Sequence, residues 1–317
     1  MAAQPKLFMK ILVTGGAGFI GSHLVRTLVR SHAGEIVILD NLSRGREENL
    51  EAFANQITFI RGSICDLDVV AHAMQGAELV FHLAAQSNVI GAVTDLDGSF
   101  ATNVIGTFNV FSCAKKCGVR RVVFTSSREV YGETCTTPVG EEAPIQPKNA
   151  YGASKAAAEA YAGVFRSLGV DIAVLRLSNV YGPGDHGRVI PLFLEAAMAD
   201  QPLILYGGQQ IIDFVWIDEV VRALVSSSKQ TLSGNPLNIG SGCGITVREL
   251  AERIITLTRS RSTLKILPPR SVEVTKFVAD ICRAQTALRL RAPTDPLFGL
   301  DQMISHPGRA SVSVVQI

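Results

Sequence analysis

The chain has no excess of charge of one sign, no paired-cysteine motif and no long apolar run, and each absence removes a class of function. Its 30 Lys and Arg against 28 Asp and Glu leave a formal charge of +2. So weak a field favours neither nucleic acid nor an anionic membrane surface, although a local basic pocket for one phosphorylated ligand stays open. The six cysteines (Cys65, Cys113, Cys117, Cys135, Cys243, Cys282) form no Cys-x-x-Cys pair. Neither they nor the six histidines show zinc-ligand spacing, so no metal is expected. Cys113 and Cys117, four apart in a helical pattern, read as two partly buried thiols on one face. No stretch reaches the length of a membrane span. The apolar run Leu7 to Val13 has Lys6 and Lys10 nearby, but it is short and leads into a glycine-rich turn rather than a cleavage site. A soluble, cytoplasmic protein is the expectation, with neither repeats nor low-complexity tracts.

What is present is a β–α rhythm. Strand patterns fall at Lys10–Thr14, Glu35–Leu39, Ile57–Arg61, Leu79–His82, Arg120–Thr125 and Asp171–Leu177. Helical patterns fall between them at Phe19–Arg30, Val69–Gln75, Phe100–Lys116 and Gly152–Leu168. Val-, Ile- and Leu-rich strands spaced by helices predict an α/β fold, a doubly wound parallel sheet covered on both faces. Beyond about residue 180 the rhythm breaks. Helices are expected at Pro191–Ala199, Asp218–Ser227 and Thr246–Thr256, the last with Thr246 as N-cap and Glu249 at the capping-box position. Phe214–Ile217 and Leu237–Ile239 look like strands. The division expected is a dinucleotide-binding domain over 1–180 and a smaller C-terminal substrate-binding lobe over 181–317, with a segment near 237–240 returning to the sheet. The stretch Ser305–Ile317 lacks periodicity and reads as a loosely held tail.

Gly15-Gly-Ala-Gly18-Phe-Ile-Gly21 follows the first strand and opens the first helix. In that setting Gly15 permits the turn, Gly18 lets the backbone approach a pyrophosphate and Gly21 allows close packing. The helix start offers free N–H groups and a positive dipole end. Asp40 ends the second strand nineteen residues past Gly21, about where a carboxylate bonds the adenosine ribose. That carboxylate would repel a 2′-phosphate, so NAD is expected over NADP. Arg44 and Arg46 read as solvated loop charges.

Tyr151-Gly-Ala-Ser-Lys155 sets Tyr and Lys four apart on one helical face. A phenol titrates near pH ~10. A neighbouring ammonium and a positive nicotinamide ring should lower that toward the working range. Thr125-Ser126-Ser127 sits at the C-terminal end of a strand, the ligand-binding edge of such a sheet. Together these groups suit reversible hydride transfer between a secondary alcohol and NAD. His82, by contrast, ends a strand where packing beside the cofactor is the plainer account.

These motifs resemble those of the extended short-chain dehydrogenase/reductases, specifically the nucleotide-sugar epimerases and dehydratases of UDP-glucose 4-epimerase type. The match runs from about Lys10 to Leu290. It comprises TGGAGFIGSHL (14–24), DNLSRGREENL (40–50), HLAA (82–85), Asn103 in an N-V-x-G-T run, SSREVYG (126–132), YGASK (151–155) and RLSNVYGPG (176–184). The resemblance implies a Rossmann-type fold, a homodimer and a nucleotide-sugar substrate. It implies Ser127, Tyr151 and Lys155 as the catalytic set, with Tyr as acid/base, Lys also on the nicotinamide ribose and Ser on the reacting hydroxyl. NAD would be held by Gly15, Gly18, Phe19, Ile20, Gly21, Asp40, Asn41, Ser63, Ile64, Leu83, Ala84, Ala85 and Asn103, together with Tyr151 and Lys155. Asn179 and Arg270 would contact the substrate phosphates.

Three positions depart from the family pattern. Ser63 stands where relatives usually have Asp. Ile212 replaces an arginine that binds the diphosphate in relatives. Arg128-Glu129 stands where dehydratases carry Asp-Glu, so the acid that protonates a leaving hydroxyl is missing and 4,6-dehydration is not expected. Glu129 itself is a candidate catalytic residue lining the sugar pocket, or one half of a salt bridge near the strand end. The leading expectation is 4-epimerisation through a transient ketone at C4. The alternatives are decarboxylation of a nucleotide-linked uronic acid through Glu129, and net oxidoreduction of a related sugar.

Overall fold

In the computed structural model, residues 9–305 are described apart from Asn88, Thr231, Ser233 and Ala292. The strands are β1 (Lys10–Thr14), β2 (Glu35–Asp40), β3 (Thr58–Arg61), β4 (Leu79–His82), β5 (Arg121–Ser127), β6 (Ile172–Leu177), β7 (Asn179–Tyr181), β8 (Leu203–Tyr206), β9 (Ile211–Trp216), β10 (Leu237–Ile239), β11 (Gly244–Thr246) and β12 (Leu264–Leu267). Seven of them form one sheet in the order β10-β6-β5-β4-β1-β2-β3. Every pairing in it is parallel.

A sheet covered on both faces needs strands with a near-continuous apolar run, which is how β1, β4, β5 and β6 read over Ile11–Val13, Leu79–Phe81, Val122–Phe124 and Ile172–Leu175. Successive residues of β1 serve opposite cores. Ile11 and Val13 join a cluster with Leu24 and Leu28 of the Phe19–Arg30 helix. Leu12 joins one with Val70, Val110 and Ala158 from the Leu67–Met74, Thr107–Cys117 and Ala150–Ser167 helices. The strand order reverses at β1, between β2 and β4, so the chain leaving β1 opens onto the crevice where ligands of such sheets bind.

The second half adds a three-stranded sheet, β11-β9-β7, and a parallel pair, β12-β8. These pack onto the same core: Phe214, Trp216, Leu250 and Leu300 belong to one buried cluster with Leu24 and Leu175. β10 lies parallel to β6, pairing Leu237 with Leu175. The Val247–Thr258 helix begins with the complete Thr246/Glu249 capping box.

Four local expectations need correction. The helix expected over Phe100–Lys116 is a Leu96–Phe100 turn, a π-helical segment Ala101–Gly106 and the Thr107–Cys117 helix. Ile217 does not end a strand but begins the Ile217–Lys229 helix. Cys113 is buried while Cys117 is exposed, so the two thiols do not share an environment. Ser305 closes a short Leu300–Ser305 helix; the rest of the expected tail, 306–317, and the start of the Leu7 run lie outside the described residues.

Candidate active site

The loop after β1 is built for close approach. Gly15 has φ +73, and a Cβ there would come within 2.6 Å of the Ala84 nitrogen. Leu83 N–H donates to Thr14 O at 3.1 Å and Ala84 N–H to Thr14 Oγ1 at 3.3 Å, fixing the exit of β4 beside that of β1. Gly18 is the N-cap of the Phe19–Arg30 helix and supplies no side-chain cap. The N–H groups of Phe19, Ile20 and Gly21 are therefore first-turn donors without a helical acceptor, which fits a pyrophosphate. Asp40 is buried at the end of β2. Its Oδ2 accepts from Ala17 N–H at 2.9 Å and its Oδ1 from Leu42 N–H at 2.8 Å. It thus ties the glycine loop to β2 and keeps spare lone pairs for a ribose hydroxyl. Arg44 and Arg46 are exposed.

The other expected cofactor positions line the same edge. Asn41 Oδ1 accepts from Ser43 N–H at 3.0 Å. Ser63 Oγ accepts from Cys65 N–H at 3.1 Å, and the buried Ile64 presents its carbonyl to Asn109 Nδ2 at 3.1 Å. Asn103 is fully buried in the π-helical segment. Its amide accepts from Gln86 N–H at 2.9 Å and donates to Gln86 O at 3.1 Å and Ser154 Oγ at 2.9 Å. It therefore ties the loop carrying Leu83, Ala84 and Ala85 to the helix carrying Tyr151. His82 lies 2.7 Å from Thr14 Oγ1 and 3.0 Å from Thr107 Oγ1. Burial lowers its pKa to about 3, so it is a neutral packing residue.

Ser127, Tyr151 and Lys155 come together at the end of β5. Asn149 caps the Ala150–Ser167 helix by accepting from Gly152 N–H at 2.9 Å. A Cβ at Gly152 would meet Glu129 O at 2.3 Å, so glycine lets this helix start lie against the strand end. Lys155 is buried, donates to Thr125 O at 2.9 Å and lies 4.9 Å from the Phe124 ring centroid. Burial lowers its pKa to about 7, with Glu159 opposing. In the protein chain by itself, burial likewise raises the Tyr151 phenol to about 12, whereas the expected fall includes the charge of a nicotinamide ring. The guanidiniums of Arg188 and Arg128 and the Ser127 hydroxyl pull it back down, and Glu129 pushes it up. Among the protein's own groups, the Lys155 ammonium is directed at a backbone carbonyl, and desolvation of the phenolate outweighs the charges that favour it.

Glu129 is buried and engaged at both oxygens. Oε1 lies 2.8 Å from Arg128 Nη2, and Oε2 accepts from Asn149 Nδ2 at 2.7 Å. Of the two sequence alternatives for Glu129, the salt bridge is present. Arg128 Nε also donates to Asn179 Oδ1 at 2.7 Å. A continuous chain, Asn149–Glu129–Arg128–Asn179, thus runs from the catalytic helix to β7. The segment after Arg270 reaches this edge through Val272 O, which accepts from Asn149 Nδ2 at 3.3 Å. Arg270 stacks on Tyr206, 3.6 Å from its ring centroid, and lies 3.3 Å from Glu273. Ile212 is half-buried in β9 opposite Ile245, packed on the core.

Sequence reasoning noted Arg128 only as a departure and gave no role to it, to Arg188 or to Asn149. Asn149 carried a signal, an N-cap residue directly before a helical pattern. Arg188 lies in a Gly- and Pro-rich loop and carried none.

Residues 11–240 match the NAD dependent epimerase/dehydratase family. The chain belongs to that family. It is 36% identical over 290 residues to a UDP-glucose 4-epimerase of Mycolicibacterium smegmatis, covering 88% of this chain and 92% of that one. It is 32% identical over 308 residues to UDP-glucuronic acid decarboxylase 1 of Arabidopsis thaliana, covering 94% and 69%. It is similar in structure to a dTDP-glucose 4,6-dehydratase of Streptomyces venezuelae solved with NAD, with TM-score 0.89, 31% identity and coverage of 94% and 96%. The protein is an NAD-dependent enzyme of this nucleotide-sugar family, and its relatives are named for three different reactions.

Proposed function

We propose that the protein is a nucleotide-sugar 4-epimerase. The observation that carries this reading is the state of Glu129. Beside a complete Ser127, Tyr151 and Lys155 set, both its oxygens are tied to Arg128 and Asn149. With both oxygens so engaged, Glu129 has none free to take a proton from the sugar carbon next to C4, and the Arg128 guanidinium beside it supplies no proton to a leaving hydroxyl. NAD, when bound at the glycine loop, supplies the hydride acceptor and a positive ring near Tyr151. Tyr151 Oη takes the proton of the sugar C4 hydroxyl, and Ser127 Oγ holds that oxygen. Lys155, anchored on Thr125 O, keeps a buried amine beside them. The ketosugar turns over, its C4 is reduced on the other face, and Tyr151 returns the proton. In this reading 1–180 holds NAD and 181–317 mainly the substrate, with Asn179 and Arg270 at the phosphates.

Incubation with UDP-, dTDP- and GDP-sugars, uronic acids included, followed by NMR, tests it. A C4 epimer formed without added NAD is expected. Carbon dioxide from a uronic acid, the runner-up suggested by Glu129's closeness to Tyr151, or accumulating NADH would refute it.

We also propose a homodimer. Phe100, Phe108, Tyr161, Val164 and Leu168 are exposed. Phe108 and Tyr161 are in ring contact across the Thr107–Cys117 and Ala150–Ser167 helices at 5.3 Å, and Val164 follows Tyr161 at i+3 on the same helical face, an apolar surface suited to a second copy. Sedimentation showing a monomer at micromolar concentration would contradict it. A cytoplasmic location is supported by six unpaired cysteines. Among the described residues no helix is long and apolar enough to cross a membrane. Fractionation of cells would test the compartment, with recovery outside the cytoplasm as the adverse result.

A further inference from the structure

Arg128 directly follows Ser127, and its guanidinium is fixed on three sides. Nε donates to Asn179 Oδ1 at 2.7 Å, Nη2 lies 2.8 Å from Glu129 Oε1, and Cζ stands 5.7 Å from the Phe277 ring centroid. The side chain is 12% exposed. A guanidinium carries five N–H donors, and these partners use two. Among the described residues no protein acceptor takes a hydrogen from Nη1, and Nη1 is not among the buried unpaired atoms, so that edge keeps some access to solvent.

A second guanidinium stands near the reacting hydroxyl. Arg188 also acts on the Tyr151 phenol. Its partner Asp185, 3.6 Å away, is raised by burial to about 6 and so stays mostly charged at pH 7. Glu129 and Asp185 each offset one of the two guanidiniums, but neither reaches Nη1 of Arg128. A reacting neutral hydroxyl does not require this. A rigid, largely desolvated arginine with a free edge is suited to a planar or tetrahedral oxyanion.

We infer that Arg128 is a specificity-determining residue whose Nη1 edge binds an oxyanion of the substrate close to the reacting hydroxyl. Two oxyanions supply that chemistry, a carboxylate on the sugar ring and a phosphate of the nucleotide. The inference rests on the nucleotide-sugar reading of the site.

Calorimetric titration of the NAD-saturated protein tests it. The probes are UDP, UDP-glucose and UDP-glucuronate with their dTDP counterparts; the proteins are wild type, Arg128→Gln and Arg128→Lys. Gln keeps an amide donor toward Glu129 and Asn179 but removes the charge, and unchanged NAD binding and unfolding midpoint establish that the variant is folded. Arg128→Gln should weaken binding roughly ten- to hundredfold, the size of a charge-assisted hydrogen bond, and Arg128→Lys should recover part of it. A loss confined to the glucuronates identifies the ring carboxylate. An equal loss with all probes identifies a phosphate. Wild-type affinity of Arg128→Gln for every probe would overturn the inference while leaving the site's function intact. Failure of wild type to bind any of them would overturn both.

Discussion

Asp40→Ala should damage the protein twice, and the structure separates the two effects. Asp40 is 7% exposed, and each of its oxygens accepts one backbone N–H, from Ala17 at 2.9 Å and Leu42 at 2.8 Å. Hydrogen bonds to a charged acceptor contribute ~1.5–3 kcal/mol each, and water can partly replace a lost one at this depth. The truncation should therefore lower the stability of the cofactor-free protein by about 2–4 kcal/mol. Asp40→Asn keeps one acceptor oxygen and should lose roughly half as much. The ribose contact is a separate bond of similar kind, so NAD affinity should fall at least tenfold in Asp40→Ala, with its preference over NADP relaxed. Urea unfolding of the three proteins, with NAD and NADP titrations of each, reads both effects. An Asp40→Ala protein that unfolds at the wild-type midpoint would refute the tethering role. Equal wild-type affinity for the two cofactors would refute the ribose role.

Three further outcomes are expected. Tyr151→Phe should abolish nearly all turnover while retaining NAD, measured as kcat and bound cofactor; near-normal kcat would remove Tyr151 as the acid/base. Lys155 loses its proton near pH 7 when folded against 10.5 for the free side chain. Between these values the unfolded chain binds more protons, so the penalty for burying Lys155, full below about 7, is relieved as pH rises. Lys155→Met should thus be more stable than wild type at pH 7, with the gap narrowing toward pH 10 in urea titrations; a gap independent of pH would contradict this. Ile212→Arg should lower stability by about 1–3 kcal/mol without tightening nucleotide-sugar binding, because a guanidinium would displace an isoleucine packed opposite Ile245. Tighter binding would show that the family phosphate site persists.

Sequence periodicity was most informative where packing is most demanding. β1, β4, β10 and the Phe19–Arg30 helix have the boundaries expected of them, because buried parallel strands and a strongly amphipathic helix leave little ambiguity. β8 and β12 escaped notice because four residues alternating once or twice are too short a signal. The π-helical segment around Asn103 was also invisible, since its i→i+5 bonding leaves no distinct apolar period. In the site, the types and spacing of Tyr151, Lys155 and Ser127 were legible. The pairing of Arg128 with Glu129 and Asn179 was not, because it depends on β7 returning beside β5's exit. Nor was the rise of the Tyr151 phenol, which is set by burial that no local motif encodes.

The most direct test of the central claim is turnover in D2O followed by NMR. Epimerisation moves the C4 hydrogen to NAD and back without exposing C5, so the account predicts a C4 epimer with no solvent deuterium on carbon. Deuterium at C5, with release of carbon dioxide or water, would contradict it.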